Sequence, residues 1–435
     1  MLLRQDVRLC FAEAIGGGGL DRVTFETHLG HTNRALDRLR RARHDRSLPL
    51  LALPTARDDL VRPAAVAERF RRGFDHVALL GTGGSSLGAR TLAALADRGF
   101  GPEPGRPRLH FLDNIDPSTF EAFHRAVDLR RTGFLVVSKS GGTAETLMQT
   151  LTVLPKVEAA VGRDRTPRHF AVVTEPRDNP LRRLAASRGI ETLDHDPGLG
   201  GRYSVLSLVG LLPAMMAGLD PFAVRQGAAE VLDAALAAEQ PAESPPAVGA
   251  ALGHGLARER GQTQAVLMPY ADALAPFGSW FRQLWAESLG KGGLGTTPIT
   301  ALGAVDQHSQ LQLYLGGAQH HLTTIIRRKN LPETDTAPMP EDLAALAGAR
   351  YLAKRTVGQL VYAQTQAIAD AFAEHKRPLR LLDIDKVDEW TAGWLMMHFI
   401  LETILTADLF GVDPFDQPAV ELGKVLTRDY LGRLA

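Results

Sequence analysis

From about residue 55, short apolar runs alternate with longer stretches whose apolar positions recur at helical spacing. The runs fall at 76–80, 108–112, 134–137 and 169–173, and each leads through turn residues into a helical stretch such as 89–97 or 145–153. That alternation predicts a parallel sheet wrapped by helices. Residues 202–217 read as a buried helix. The Pro-rich polar stretch 239–246 reads as a linker. Beyond it the pattern restarts, with strands expected at 265–268, 322–327 and 379–384 and helices at 280–289, 351–372 and 390–409. Before residue 55 the chain is a polar helical lead-in broken at Gly16–Gly19. A last helix is expected from about Gln417 to Leu434, with Pro418 in its first turn, where proline is tolerated. The expected fold is α/β, two parallel-sheet sandwiches in tandem. They span 55–238 and 247–410, between the lead-in 1–54 and a C-terminal helix within 411–435.

Composition narrows what such a chain does. It has 435 residues, 45% hydrophobic, with 49 basic against 49 acidic side chains. Zero net charge argues against a dedicated nucleic-acid binder. A single cysteine, Cys10, leaves no disulfide framework and no thiolate-rich metal cluster. The opening residues reach Asp6 and Arg8 too soon for a signal-peptide core. The longest uncharged apolar stretch, 205–219, contains Gly210 and Pro213 and falls short of a membrane span. A cytoplasmic enzyme is the expectation. Of the 49 basic residues only 8 are Lys, so a lysine retained in a motif merits a question. Lys139, Lys291 and Lys424 are three such.

Ligands of parallel-sheet folds sit at the carboxyl ends of strands, so the turns there carry the candidate chemistry. Gly81-Thr82-Gly83-Gly84-Ser85-Ser86-Leu87-Gly88 follows the strand at 76–80. Ser138-Lys139-Ser140-Gly141-Gly142-Thr143-Ala144-Glu145-Thr146 follows that at 134–137. In both, glycines let the backbone approach a ligand, hydroxyls add donors, and the following helix offers free amides and a positive dipole end. Neither completes a dinucleotide fingerprint or a nucleotide phosphate loop. Two such turns on one sheet suggest a small phosphorylated ligand rather than ATP or NAD.

Four further segments hold polar groups in useful patterns. Gln283 and Glu287 share a helix face at i and i+4, and a carboxylate set among apolar neighbours suits a general base. An ion pair between Glu287 and Lys291 is the ordinary alternative. In Asp306-Gln307-His308-Ser309-Gln310, His308 can shuttle a proton near neutral pH, although a lone histidine is more often structural. Gly200-Gly201-Arg202-Tyr203-Ser204 places an arginine where it could steady an oxyanion or form a bidentate structural salt bridge. Gln417, Glu421 and Lys424 share a face of the last helix, where Lys424 could simply pair with Glu421. The pair His320-His321 has no third ligand at metal spacing, and no metal site is read.

Six blocks together resemble the glucose-6-phosphate isomerase family, which has a two-domain sugar-isomerase fold. They are 81–88, 138–146, 200–204, 283–291, 306–310 and Asp-Gln-Pro-Ala-Val-Glu-Leu-Gly-Lys at 416–424, in the family's order. The resemblance implies reversible conversion of D-glucose 6-phosphate to D-fructose 6-phosphate through a cis-enediol, without cofactor or metal. It implies that Glu287 is the base between C2 and C1, that His308 and Lys424 open the sugar ring, and that Arg202 lies beside the enediol oxygens. Gln283 and Gln417 are the matching substrate-contacting amides, and Gly84, Ser85, Ser138, Lys139, Ser140, Gly141, Gly142 and Thr143 the phosphate cradle. It also implies a homodimer whose histidine reaches the neighbouring subunit's site. The chain departs from the family at Gly142, where a hydroxyl is usual. A phosphosugar-binding regulator would need the cradle but none of Glu287, His308, Lys424 and Arg202.

Overall fold

The computed structural model describes residues 4–330 and 335–434. Residues 1–3 of the expected lead-in, 331–334 of the second sandwich and Ala435 of the C-terminal segment lie outside the described residues. Among the described residues, ten strands form two sheets of five. In chain order they are β1 (Arg4–Asp6), β2 (His76–Leu80), β3 (Arg108–Leu112), β4 (Thr132–Val137), β5 (Phe170–Thr174), β6 (Glu191–Asp194), β7 (Gln264–Pro269), β8 (Thr297–Thr300), β9 (His321–Arg328) and β10 (Leu379–Ile384).

The first sheet runs β3-β2-β4-β5-β6 and is parallel throughout. β4 and β5 are buried along their whole length, as strands covered by helices on both faces must be. The second sheet runs β1-β10-β9-β7-β8 and is parallel except for β1, which pairs antiparallel with β10. The lead-in thus supplies an edge strand to a sheet whose other strands begin more than 250 residues later. Its three polar residues carry no apolar alternation, so nothing local announced it. The edge strands β6 and β8, also absent from the sequence expectation, are short and only partly buried.

One large apolar core lies between the sheets and takes residues from both. Smaller clusters cover the outer face of each sheet, one around Phe134 and Val157, the other around Ile325 and Phe372. The helices Pro221–Ala237, Pro245–Arg260, Ala275–Leu289 and Glu389–Phe410 fill the central core. Glu389–Phe410 is long and apolar enough to cross a membrane by composition. Here it is a core helix, with Glu402 held between Arg380 Nη1 at 2.8 Å and His398 at 3.0 Å. The segment 239–246 is not an extended linker. A short 3-10 turn at Pro241–Glu243 runs directly into the helix beginning at Pro245.

Two other helices are shorter than their sequence pattern predicts, for reasons visible in their caps. Residues 202–217 are a 3-10 turn, Gly201–Leu206, followed by the helix Leu208–Ala217. Ser207 separates them by accepting a hydrogen bond from the Val209 amide, an N-cap. The last helix spans Glu421–Arg433, after a 3-10 turn at Pro418–Val420. Gln417 lies outside it, held in a non-helical conformation by its contact with Arg202.

The core also buries histidines. His254 faces His28, with 3.1 Å between their Nδ1 atoms, and His28 faces Glu259 at 3.5 Å. Burial first, then His28, then Arg258 and His31, push His254 down to about 4, and burial also lowers His28. The fold therefore favours the neutral rings. Their contribution is complete above the unfolded value near 6.5 and is lost as pH falls from there toward 4. Thermal melting should drop steeply between pH 6.5 and 4.5, and His254→Asn should flatten that slope. An unchanged slope would assign the acid lability elsewhere.

Candidate active site

In the first sheet the strand order reverses between β2 and β4, because β3 lies on one side of β2 and β4 on the other. Such a switch point leaves a crevice at the carboxyl ends of the two strands. The turns leaving β2 and β4 are the two hydroxyl-rich segments singled out in the sequence. A cleft of about 1040 Å³ opens there, with Ser85, Ser140 and Thr143 on one side and Gln417 and Lys424 on the other.

The second turn is shaped by a glycine and closed by local hydrogen bonds, the Gly141 amide donating to the Ser138 carbonyl at 3.1 Å. Gly141 has φ +64°, and a Cβ there would lie 1.9 Å from Asn179 Oδ1, so only glycine fits. Ser138 Oγ donates to Thr143 Oγ1 at 3.0 Å, and the Gly142 amide donates to Ser140 Oγ at 3.3 Å. Thr143 precedes the helix Ala144–Val161 without capping it through its side chain. The first amides of an 18-residue helix therefore face the cleft with their dipole end positive. Lys139 donates to the Pro197 carbonyl at 2.9 Å and lies 3.8 Å from the buried carboxylate of Glu175. Glu175 and Arg177, an ion pair just beyond β5, also line the cleft. They follow the next strand's carboxyl end, a position that could have drawn attention to them.

The first turn is pressed against the segment that carries Arg202. A Cβ at Gly84 would lie 2.2 Å from the Gly201 carbonyl carbon. Arg202 itself is buried and uses all five of its guanidinium donors. Nε donates to Ser288 Oγ at 2.9 Å. Nη1 donates to Glu287 Oε2 at 3.2 Å and to Gln417 Oε1 at 2.7 Å. Nη2 donates to the Asp416 carbonyl at 2.9 Å and to the Pro414 carbonyl. Tyr203 O–H bridges to Ser288 Oγ at 2.8 Å and donates to the Pro414 carbonyl at 3.1 Å. Burial pushes that phenol up to about 12, so it stays a donor.

Glu287 lies on the helix Ala275–Leu289, whose Phe277, Phe281, Leu284 and Trp285 face the core. That register leaves Gln283 and Glu287 half-buried at the edge of the helix, where Gln283 Nε2 donates to Glu287 Oε1 at 3.0 Å. Glu287 is thus held by an amide and a guanidinium. The ion pair with Lys291 does not form. Lys291 turns away to Asp416 Oδ1, 2.9 Å distant.

The structure brings Arg202, Gln283, Glu287 and Gln417 together beside the first turn, where Gln283 lies against Gly83; of the four, only Gln417 lines the cleft itself. Lys424 stands across the cleft, paired with Glu421 at 2.7 Å on an exposed face. His308 is not among them. It is exposed just after the 3-10 turn Val305–Gln307 and does not line the cleft. Sequence reasoning missed Ser288 and Tyr203 as partners of Arg202, because each acts through a contact about 85 residues away in the chain.

Fold and cleft together define a two-sheet phosphosugar-isomerase architecture. The family model for phosphoglucose isomerase matches residues 69–435. A glucose-6-phosphate isomerase of Rubrobacter xylanophilus is 39% identical over 387 residues, covering 88% of this chain and 89% of its own. One of Thermus thermophilus is 38% identical over 361 residues, covering 81% and 83%. Among solved structures, a hypothetical protein of Thermus thermophilus superposes with TM-score 0.86 at 35% identity, covering 99% of this chain and all of that one. A glucose-6-phosphate isomerase of Chlamydia trachomatis has the same fold, with TM-score 0.78, 22% identity and coverage of 95% and 87%. This chain belongs to the phosphoglucose isomerase family.

The close approach at Gly84 makes a direct prediction. Gly84→Ala must push the first turn away from Gly201, an overpacking expected to cost about 1–3 kcal/mol. Urea unfolding of the variant against the parent chain measures it, and a change below about 0.5 kcal/mol would mean that the two segments separate freely.

Proposed function

We propose that the protein interconverts D-glucose 6-phosphate and D-fructose 6-phosphate through a cis-enediol, without a metal or other cofactor. The observation that carries the reading is the convergence of Glu287 and Gln417 on Arg202, with Gln417 also lining the cleft that the two anion-favouring turns open onto. The family relatives bear the same name and cover most of this chain.

In this reading the phosphate binds at 138–143 and along Gly84 and Ser85, where amides, hydroxyls and Lys139 supply donors. Ring opening moves a proton from the anomeric hydroxyl to the ring oxygen, a task we assign to His308 and Lys424. Glu287 then takes the C2 proton of the open aldose. The C–H electron pair becomes the C1–C2 double bond while O1 gains a proton, giving the enediol. Returning the proton to C1 as O2 loses its own completes the ketose. Arg202 stabilises the charge that develops on O1 and O2. Its Nη1 donors are held by side chains rather than main chain, so they are the ones a substrate oxygen can take over. Gln283 and Gln417 hold the substrate hydroxyls.

His308 neither lines the cleft nor hydrogen-bonds to the Arg202 cluster, so the reading requires a homodimer in which it completes the neighbour's site. The face near it supports this. Val305 and Leu313, within five residues of His308 in the chain, are large apolar side chains that stand exposed. The reading also places the enzyme in the cytoplasm, in central sugar-phosphate metabolism.

Two experiments test this. In a coupled assay with chelator present, the parent chain should convert fructose 6-phosphate to glucose 6-phosphate, and Glu287→Gln should lose about a hundredfold or more. A folded but inactive parent chain that still binds the phosphosugar would indicate a regulator instead. Second, Glu287→Gln and His308→Ala, each inactive alone, should regain about a quarter of parental activity when unfolded and refolded together, since half the dimers are mixed and each has one intact site. No recovery would place His308 outside a shared site.

A further inference from the structure

The helix Glu421–Arg433 carries Lys424 but buries none of its residues. Thirteen residues are too few for a helix to hold itself in water, so its placement depends on the segment before it, Asp413–Gln417. That segment is tied down at two points. One is Arg202, with Tyr203 beside it and the Phe415 ring 5.3 Å from the Tyr203 ring. The other is Lys291. Its side chain is 13% exposed, and Nζ donates to the Ser288 carbonyl at 3.1 Å, to Asp416 Oδ1 at 2.9 Å and to the Asp413 carbonyl. Three acceptors match the three donors of an ammonium. All three of its donors are thus taken up by the protein.

We propose that Lys291 is a positioning residue. It pins Asp413–Gln417 to the end of the Glu287 helix, and through that segment fixes Gln417 and Lys424 against the cleft. The inference rests on the isomerase reading for what Gln417 and Lys424 do there, but not for the pinning itself. It also accounts for a lysine in a chain that uses arginine almost everywhere. A compact ammonium reaches two main-chain carbonyls and a carboxylate around one point. A planar guanidinium is longer and cannot aim donors in three directions from there.

The test uses the full chain, with Lys291→Met and Lys291→Arg. Amide hydrogen exchange should speed up across 413–434 in both variants and stay unchanged at 138–143. kcat should fall about tenfold or more, the scale of a misplaced active-site group. The inhibition constant for inorganic phosphate, which reads the cradle, should stay within about twofold. In a Gln417→Ala background the further loss from Lys291→Met should shrink to about twofold or less, because both changes act through one segment. Parental exchange at 413–434 in Lys291→Met would overturn the proposal, as would full recovery by Lys291→Arg or a loss undiminished in the Gln417→Ala background. An inactive parent chain would sink the isomerase reading alone, since hydrogen exchange still reads the pin.

Discussion

The site depends on one buried guanidinium. Arg202 is 4% exposed, and leaving such a charge without partners would cost several kcal/mol. The fold must therefore deliver five acceptors to it. They come from two places far apart in the chain, Glu287 and Ser288 at the end of one helix and Pro414 to Gln417 before the last. Satisfying Arg202 is what draws the second half of the chain and its C-terminal segment onto the first sheet's turns. A carboxylate and two side-chain amides come together beside the first turn as a consequence.

The architecture makes that convergence affordable in packing terms. Because both sheets line one central core, the helix Ala275–Leu289 sits between them rather than on the outer face of the second. Its apolar stripe fixes its rotation, and the rotation puts Gln283 and Glu287 on the edge facing the first sheet's switch point. The close contact of Gly84 with Gly201 then sets the first turn against Arg202. Position along the helix, position of the turn and the buried charge are three expressions of one packing solution.

What could be read beforehand follows from how local each signal is. β2, β3 and β10 lie where their apolar runs predicted, and the two turns sit at the strand ends that the alternation implied. β1 was invisible because Arg4–Asp6 is a strand only through pairing with Leu381–Asp383. Gln283 and Glu287 were legible as a pair because i and i+4 is a helical relation, and they do bond to each other. Ser288 and Tyr203 were not, since their importance comes from Arg202. His308 marks the limit: its own chain leaves it exposed, and no contact within the chain bears on the role its motif suggested.

The sequence left open whether Arg202 was a structural salt bridge or a group reserved for chemistry. The chain's other buried arginines are paired differently. Arg225 grips Asp59 through a fork, Nη1 to Oδ1 at 2.7 Å and Nη2 to Oδ2 at 2.6 Å. Arg380 takes both oxygens of Glu402, at 2.8 and 2.9 Å. In each a whole carboxylate neutralises the guanidinium, the arrangement expected of a charge that only holds the fold together. Arg202 has a single carboxylate oxygen at 3.2 Å, and its other four acceptors are neutral. Its one carboxylate partner is engaged through a single oxygen, a looser pairing than either fork, and a rigid cation so held can stabilise negative charge that develops beside it. The enediol oxygens of an aldose–ketose isomerisation would present that charge.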